Sequence, residues 1–206
     1  MADYFEIFKR QAQKKYPKLK IRSKQDHFFW KRMPSGLKYS GITLGNTIWL
    51  PKEHTNVGML AHEVMHYEDI KRYGFINFYL LYLFPQSLFF IFFPLFLLFL
   101  VLSNTVMFSI FLVLSIISLL PLPSYTRAWL ELRGYKISLY ALMKRGFDIG
   151  EYEDYLIGVL TGFFYYKMVW NKDKAKAMVY KVMKDIKNEE IDGETFKDLK
   201  SIIEKY

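Results

Sequence analysis

The sequence predicts a mainly α-helical chain with a small N-terminal β-sheet, an α+β core into which an apolar helical hairpin is inserted. Three observations predict it. Apolar residues recur at helical spacing in most segments. One stretch, Gly41 to Pro51, alternates with the period of a strand. From Tyr73 to Thr126, 54 residues, there is no Asp, Glu, Lys or Arg.

Composition narrows the classes. At 52% apolar the 206-residue chain has material for a core and is not globally disordered. It contains no cysteine, which excludes a disulfide scaffold, thiolate metal ligation and a cysteine nucleophile. A net charge of +9 fits an acidic partner, anionic lipid or nucleic acid. The abundance of Phe favours lipid, and the basic residues of the N-terminal stretch read as a solvated face, so no nucleic-acid partner is expected.

Residues Asp3 to Tyr16 read as a helix with Tyr4, Phe5, Phe8 and Ala12 on one side, stopped by Pro17. Leu19 to Met33 is basic, with Ile21, Phe28, Phe29 and Trp30 as apolar points, and predicts a strand or two. In Gly41 to Pro51, Ile42, Leu44, Ile48 and Leu50 share one parity, and Gly45-Asn46 marks a tight turn or a bulge. Thr55 is the expected N-cap of a helix running to Tyr73, with Gly74 as its stop.

The uncharged run is long enough for two helices of membrane-crossing length, at ~20 residues each. Its polar centre, Ser103-Asn104-Thr105, predicts a hairpin tip between arms at Phe78–Leu102 and Val106–Leu120. The second arm is short for a full crossing, which leaves thinning of the bilayer or a hairpin that only dips into it. Lys71 and Arg72 before the run, with Arg127 and Arg133 after it, place both ends in the cytoplasm. A helix is expected from Ser124 to Gly146 and another, broken by glycines, from Asp154 to Trp170. Two amphipathic helices separated by Asp192-Gly193 close the chain. The organisation expected is 1–74 for the N-terminal helix, sheet and motif helix, 75–123 for the transmembrane or membrane-dipping hairpin, and 124–206 for the remaining helices.

One motif carries chemistry. His62-Glu63-Val64-Met65-His66 is an H-E-x-x-H sequence on a predicted helix, and it holds half of the chain's four histidines. Residues four apart share a helix face, so both imidazoles can hold one metal ion. Glu63 lies one step from His62, outside that ligand pair. Its carboxylate is placed to take a proton from a metal-activated water and return it to a leaving amine. A catalytic zinc takes three protein ligands. Position 69 is Asp and position 72 is Arg, so the ligand does not come from an extended H-E-x-x-H-x-x-G-x-x-H motif. The next carboxylate is Glu131, an acid within an apolar helical stretch, where it would need a partner or a metal. A salt bridge to Arg127 is the other use for it, and Glu151, Glu153 and Asp154 are rival ligands. Asp69 is a candidate second-layer partner that holds a histidine or anchors an arginine.

The H-E-x-x-H helix followed by a helical Glu131 resembles the gluzincin zinc metallopeptidases, and Gly41–Pro51 resembles the edge strand along which such enzymes lay substrate. The order of motif helix, apolar hairpin and Glu helix is similar to the HtpX-like and CAAX-prenyl-protease-like membrane branch, and to short phage-encoded peptidases. The chain differs from that branch at Tyr135, where the branch has Asp four residues after the Glu, and in having one hairpin. The resemblance implies a minimal zincin-like core with the hairpin between its two metal-binding helices. It implies a zinc-dependent endopeptidase that is membrane-associated, acts on protein or peptide substrates and has its catalytic part on the cytoplasmic side. It also implies an electrophile for the oxyanion, for which Tyr135, Tyr165, Tyr166 and His54 are candidates. The competing expectation is a non-catalytic membrane or virion assembly protein with a relict motif.

Overall fold

The structure, a computed structural model, describes residues 3–33, 38–52, 56–163 and 167–205. It is mainly helical with one small sheet.

Helix α1 (Tyr4–Lys15) begins where the Asp3 carboxylate accepts from the Phe5 and Glu6 amides, and its last turn carries Lys14 and Lys15. Phe8 and Ala12 are its buried residues. Strand β1 (Lys20–Ser23) follows, then a 3-10 turn (Lys24–Asp26) and the short helix α2 (Phe28–Lys31). Leu19–Met33 therefore holds one strand. The His27 ring accepts from the Phe29 amide at 3.3 Å and starts a helical turn that buries only Trp30.

Strands β2 (Ile42–Leu44) and β3 (Thr47–Leu50) form a hairpin closed by the Gly45-Asn46 turn, with Gly45 at φ +58°. A two-residue turn pairs Leu44 with Thr47 and Thr43 with Ile48. That pairing overturns the single-parity expectation. Across the turn the facing sets exchange, so Thr43, Ile48 and Leu50 are buried while Leu44 is exposed. The sheet order is β1-β3-β2, with β1 parallel and β2 antiparallel to β3, so β2 is an edge.

Helix α3 (Val57–Tyr73) is capped by Asn56, whose side chain accepts from the Met59 amide at 2.9 Å, and ends at Gly74 with φ +83°. The expected cap, Thr55, lies outside the described residues. The remaining helices are α4 (Phe75–Tyr82), α5 (Phe89–Val101, after a 3-10 turn at Gln86–Leu88), α6 (Thr105–Ser118), α7 (Tyr125–Met143), α8 (Glu153–Thr161, after a turn at Ile149–Tyr152), α9 (Lys172–Lys187) and α10 (Glu194–Lys205). Two expected spans are corrected. The first hairpin arm is not one helix: α4 and the segment Gln86–Val101 meet at 114°, at a break where Pro85 offers no N–H to continue the ladder. The helix expected to Trp170 stops at Thr161, where the Gly162 amide bonds the Gly158 carbonyl at 2.8 Å and the chain turns extended.

The chain divides into two compact units, each discontinuous in sequence: Met1–Phe75 with Glu131–Glu151 and Lys181–Tyr206, and Ile76–Leu130 with Tyr152–Tyr180. In the first, α1 and α10 pack on α3, and the sheet packs on the motif helix through β2 and β3. Helix α3 is buried on nearly every side, with Leu60, Ala61, Met65, Tyr67 and Asp69 inaccessible. Glu68 is used there as a structural acceptor: its carboxylate takes the Glu194 and Thr195 amides and the Thr195 hydroxyl, capping α10. In the second unit, α5 and α6 pack together through Phe92, Phe96 and Phe99 against Phe108 and Phe111. Among the described residues no single helix is long and apolar enough to cross a membrane.

Candidate metal centre

Helix α3 sets His62 and His66 one turn apart, and their Nε2 atoms stand 3.0 Å from each other with the rings edge to face. From α7, Glu131 brings Oε2 to 3.5 Å from His62 Nε2. One ligand atom from each of the three residues falls within 4.8 Å of the others, the one such cluster among the described residues. Bonds of ~2.0–2.1 Å to a tetrahedral ion separate ligand atoms by roughly 3.3 Å, so the set is compatible with one small divalent cation. Two imidazoles and a carboxylate are also a donor set that zinc takes in catalytic sites.

Burial makes the arrangement demanding. Glu131, His66 and Glu63 are all buried. Burial pulls the His62 imidazole down, but the Glu131 carboxylate, helped by the charge of Glu63, outweighs it and holds the group above its ordinary value. Burial pushes the Glu63 carboxyl up, against the pull of His62, the Thr43 hydroxyl and Lys24, with Glu131 adding repulsion. Buried carboxylates require opposite charge nearby, and here His62 faces Glu131 while Lys24 and His62 face Glu63.

Glu63 stands outside the ligand cluster and is held from the sheet. The Thr43 hydroxyl donates to its Oε2 at 2.7 Å and lies 3.0 Å from its carbonyl oxygen. Gly41 passes so near that a Cβ there would sit 2.5 Å from Oε1. The residue that leads into edge strand β2 thus passes directly beside the carboxylate. Lys24 is fully buried with its ammonium 4.7 Å from the Trp30 ring, and burial lowers it to about 8 although Glu63 draws it the other way.

The two helices that carry the candidate ligands, α3 and α7, are fastened to each other around the cluster. Arg133, two residues beyond Glu131, forms a buried ion pair with Asp69 and places Nη2 3.4 Å from Met65 Sδ. Asp69 therefore anchors an arginine. Gly134 permits the approach: a Cβ on it would lie 2.7 Å from three atoms of the His62 ring. Tyr135 sets its ring edge to face with His62 at 4.9 Å. Ser138 donates to the Gly58 carbonyl at 2.9 Å.

Of the rival ligands, Glu151 lies on the exposed turn before α8, and Glu153 and Asp154 are exposed in its first turn. None of them enters the cluster. His54, Tyr165 and Tyr166 lie outside the described residues. Sequence reasoning missed Thr43, Gly41, Lys24 and Gly134. The glycine left a signal, a helix-interior Gly three residues after Glu131 and so on the same face. Comparison of the chain with protein-family models, with curated proteins and with solved structures finds no match.

Proposed function

We propose that this chain is a membrane-associated, zinc-dependent metalloendopeptidase, a minimal gluzincin-like hydrolase acting on protein or peptide segments near a bilayer. The observation that carries the reading is the convergence of His62, His66 and Glu131, with Glu63 kept apart from them and oriented by Thr43. Ligand and base functions are thereby divided among residues that the sequence places on two helices.

In this reading His62, His66 and Glu131 hold zinc. Zinc in such a set lowers the pKa of a water towards ~7 and polarises a carbonyl. Glu63 takes the proton of the attacking water on the carboxylate that Thr43 orients, and returns it to the leaving amine. Its burial raises its proton affinity, which suits a group that must accept and then release a proton. The substrate backbone lies along β2, the edge strand of the sheet, which carries Thr43 and follows Gly41, the two residues beside Glu63. Tyr135, whose ring meets His62 edge to face, stabilises the oxyanion. Arg133 and Asp69 keep α7 in register with α3 so that Glu131 meets the histidines. The apolar hairpin holds the protein at the membrane, and Lys71, Arg72 and Arg127 keep the catalytic part on the cytoplasmic face.

The deciding variant is Glu63→Gln. Its zinc content stays at the wild-type level, because Glu63 is not a ligand, while hydrolysis of a quenched-peptide library in the presence of lipid vesicles falls by roughly 10²–10⁴-fold. Undiminished hydrolysis in that variant would overturn the mechanism.

A further inference from the structure

The second compact unit carries an apolar surface that the chemistry above does not use. Helices α5 and α6 have 13 and 14 residues, about 20 and 21 Å at 1.5 Å per residue. A bilayer's hydrocarbon is ~30 Å thick. Neither arm is long enough to cross it upright. Their outward faces are nonetheless apolar, including Phe90, Ile91, Leu98, Ile110, Val113 and Ile116, and the apolar surface continues to the tip, with Val101 at 80% and Val106 at 66% exposure.

Five polar side chains of the hairpin, Gln86, Asn104, Ser109, Ser115 and Ser118, are occupied in a way that lipid tolerates. Ser109, Ser115 and Ser118 each donate to a carbonyl three or four residues earlier in α6. At the tip, Asn104 accepts from the Met107 amide and covers one of the N–H groups that the start of α6 would leave bare. At the base, Gln86 donates to the Leu120 carbonyl at 3.0 Å and ties the two arms together. Apolar packing between α5 and α6 is phenylalanine against phenylalanine, so the pair holds its shape as a wedge.

The base is different in kind. Trp170 donates its indole N–H to the Pro121 carbonyl just past α6 and is 61% exposed. Tyr125 and Trp129, one turn apart on α7, are also exposed, and Arg127 lies over the Tyr82 ring at 4.9 Å. Aromatic rings with a polar handle, beside arginine, are what the headgroup layer favours. Helix α4 meets the Gln86–Val101 segment at 114°, so with α5 upright it lies close to the membrane plane, and Ile76 and Leu80 on it are exposed.

We propose that the α5–α6 hairpin is a monotopic wedge: it enters one leaflet, ends inside the hydrocarbon, and is held at that depth by in-plane helix α4 and by Tyr125, Trp129 and Trp170 at the interface. The proposal deepens the membrane part of the reading above and is independent of its hydrolytic part.

The absence of native cysteine makes the test direct. Full-length Ser103→Cys and, as a surface reference, Lys187→Cys are reconstituted from outside into phosphatidylcholine–phosphatidylglycerol vesicles. A membrane-impermeant maleimide is supplied either outside or trapped in the lumen. Lys187→Cys reacts from outside. Ser103→Cys reacts with neither pool and becomes reactive only when detergent is added. Labelling of Ser103→Cys from the lumen would show a hairpin that crosses, and labelling from outside would show one that never enters; either overturns the proposal. Leu102→Cys, exposed at the same tip, repeats the test should Ser103→Cys fail to fold. Zinc content and hydrolysis of the same preparations report on the metal centre separately, since neither tip residue belongs to it.

Discussion

Gly134 on α7 faces the imidazole of His62 on α3 so closely that a single methyl group would stand 2.7 Å from Cδ2, Cε1 and Nε2. The glycine sits three residues beyond Glu131, on the face that meets the motif helix. Its missing side chain is what lets a carboxylate from one helix and a ring nitrogen from the other come within 3.5 Å.

Gly134→Ala is therefore expected to damage the centre despite alanine's better helix propensity. The gain in propensity is about 1 kcal/mol, whereas forcing a methyl into packed contact costs about 1–3 kcal/mol. Displacing the His62 ring lowers zinc affinity by roughly 10–100-fold, read by competition with a chromophoric chelator. Wild-type affinity in a folded Gly134→Ala protein would remove this constraint.

The Asp69–Arg133 pair gives a second prediction. Arg133→Met leaves a buried carboxyl without its guanidinium, a loss of about 3–5 kcal/mol at neutral pH by denaturant unfolding. Asp69→Leu combined with Arg133→Met restores most of it, since apolar pairs of similar volume replace buried ion pairs well. The sign of the pH effect follows from Asp69, which burial pushes from 3.8 up to about 6 against the pull of Arg133. A raised carboxyl favours the folded state below its ordinary value and loses that contribution as pH rises through the folded value. The Arg133→Met deficit should thus be smallest below pH 3.8 and grow as pH climbs past about 6.

Much of this arrangement was legible beforehand, and the failures have physical causes. The motif helix, its stop at Gly74, the position of the hairpin tip and the small sheet follow from local signals that tertiary contacts reinforce. The buried face of β2 did not, because a two-residue turn exchanges facing sets and puts Thr43 where continuous parity would put Leu44. Lys24 belongs by sequence to a solvated basic stretch, and only the packing of Trp30 against it buries it. Arg133 has the sequence position of a membrane flank and is instead closed against Asp69. Glu131 was reachable by asking what a buried acid requires. The pairing of Asp69 with an arginine from another helix was one of two open alternatives, because spacing along one chain segment carries no information about the other.

A third prediction concerns the base. Burial holds the Glu63 carboxyl high, and the Thr43 hydrogen bond and the Lys24 charge each bring it down. Thr43→Val and Lys24→Met each remove a stabiliser of the ionised form, so Glu63 must be deprotonated at higher pH. The acid limb of the kcat/KM profile moves upward in both variants while zinc content is unchanged. An acid limb that stays in place, with zinc retained, would show that neither residue acts on Glu63.

In the proposed function, two imidazoles of α3 and one carboxylate of α7 bind a single ion. This binding is tested most directly by elemental analysis of the purified full-length chain after dialysis, wild type beside Glu131→Ala and His66→Ala. The expected result is zinc near one equivalent in the wild type and its loss in both folded variants, as checked by circular dichroism. Equal zinc in the wild type and Glu131→Ala, or none in any of the three after zinc has been supplied, would contradict the account.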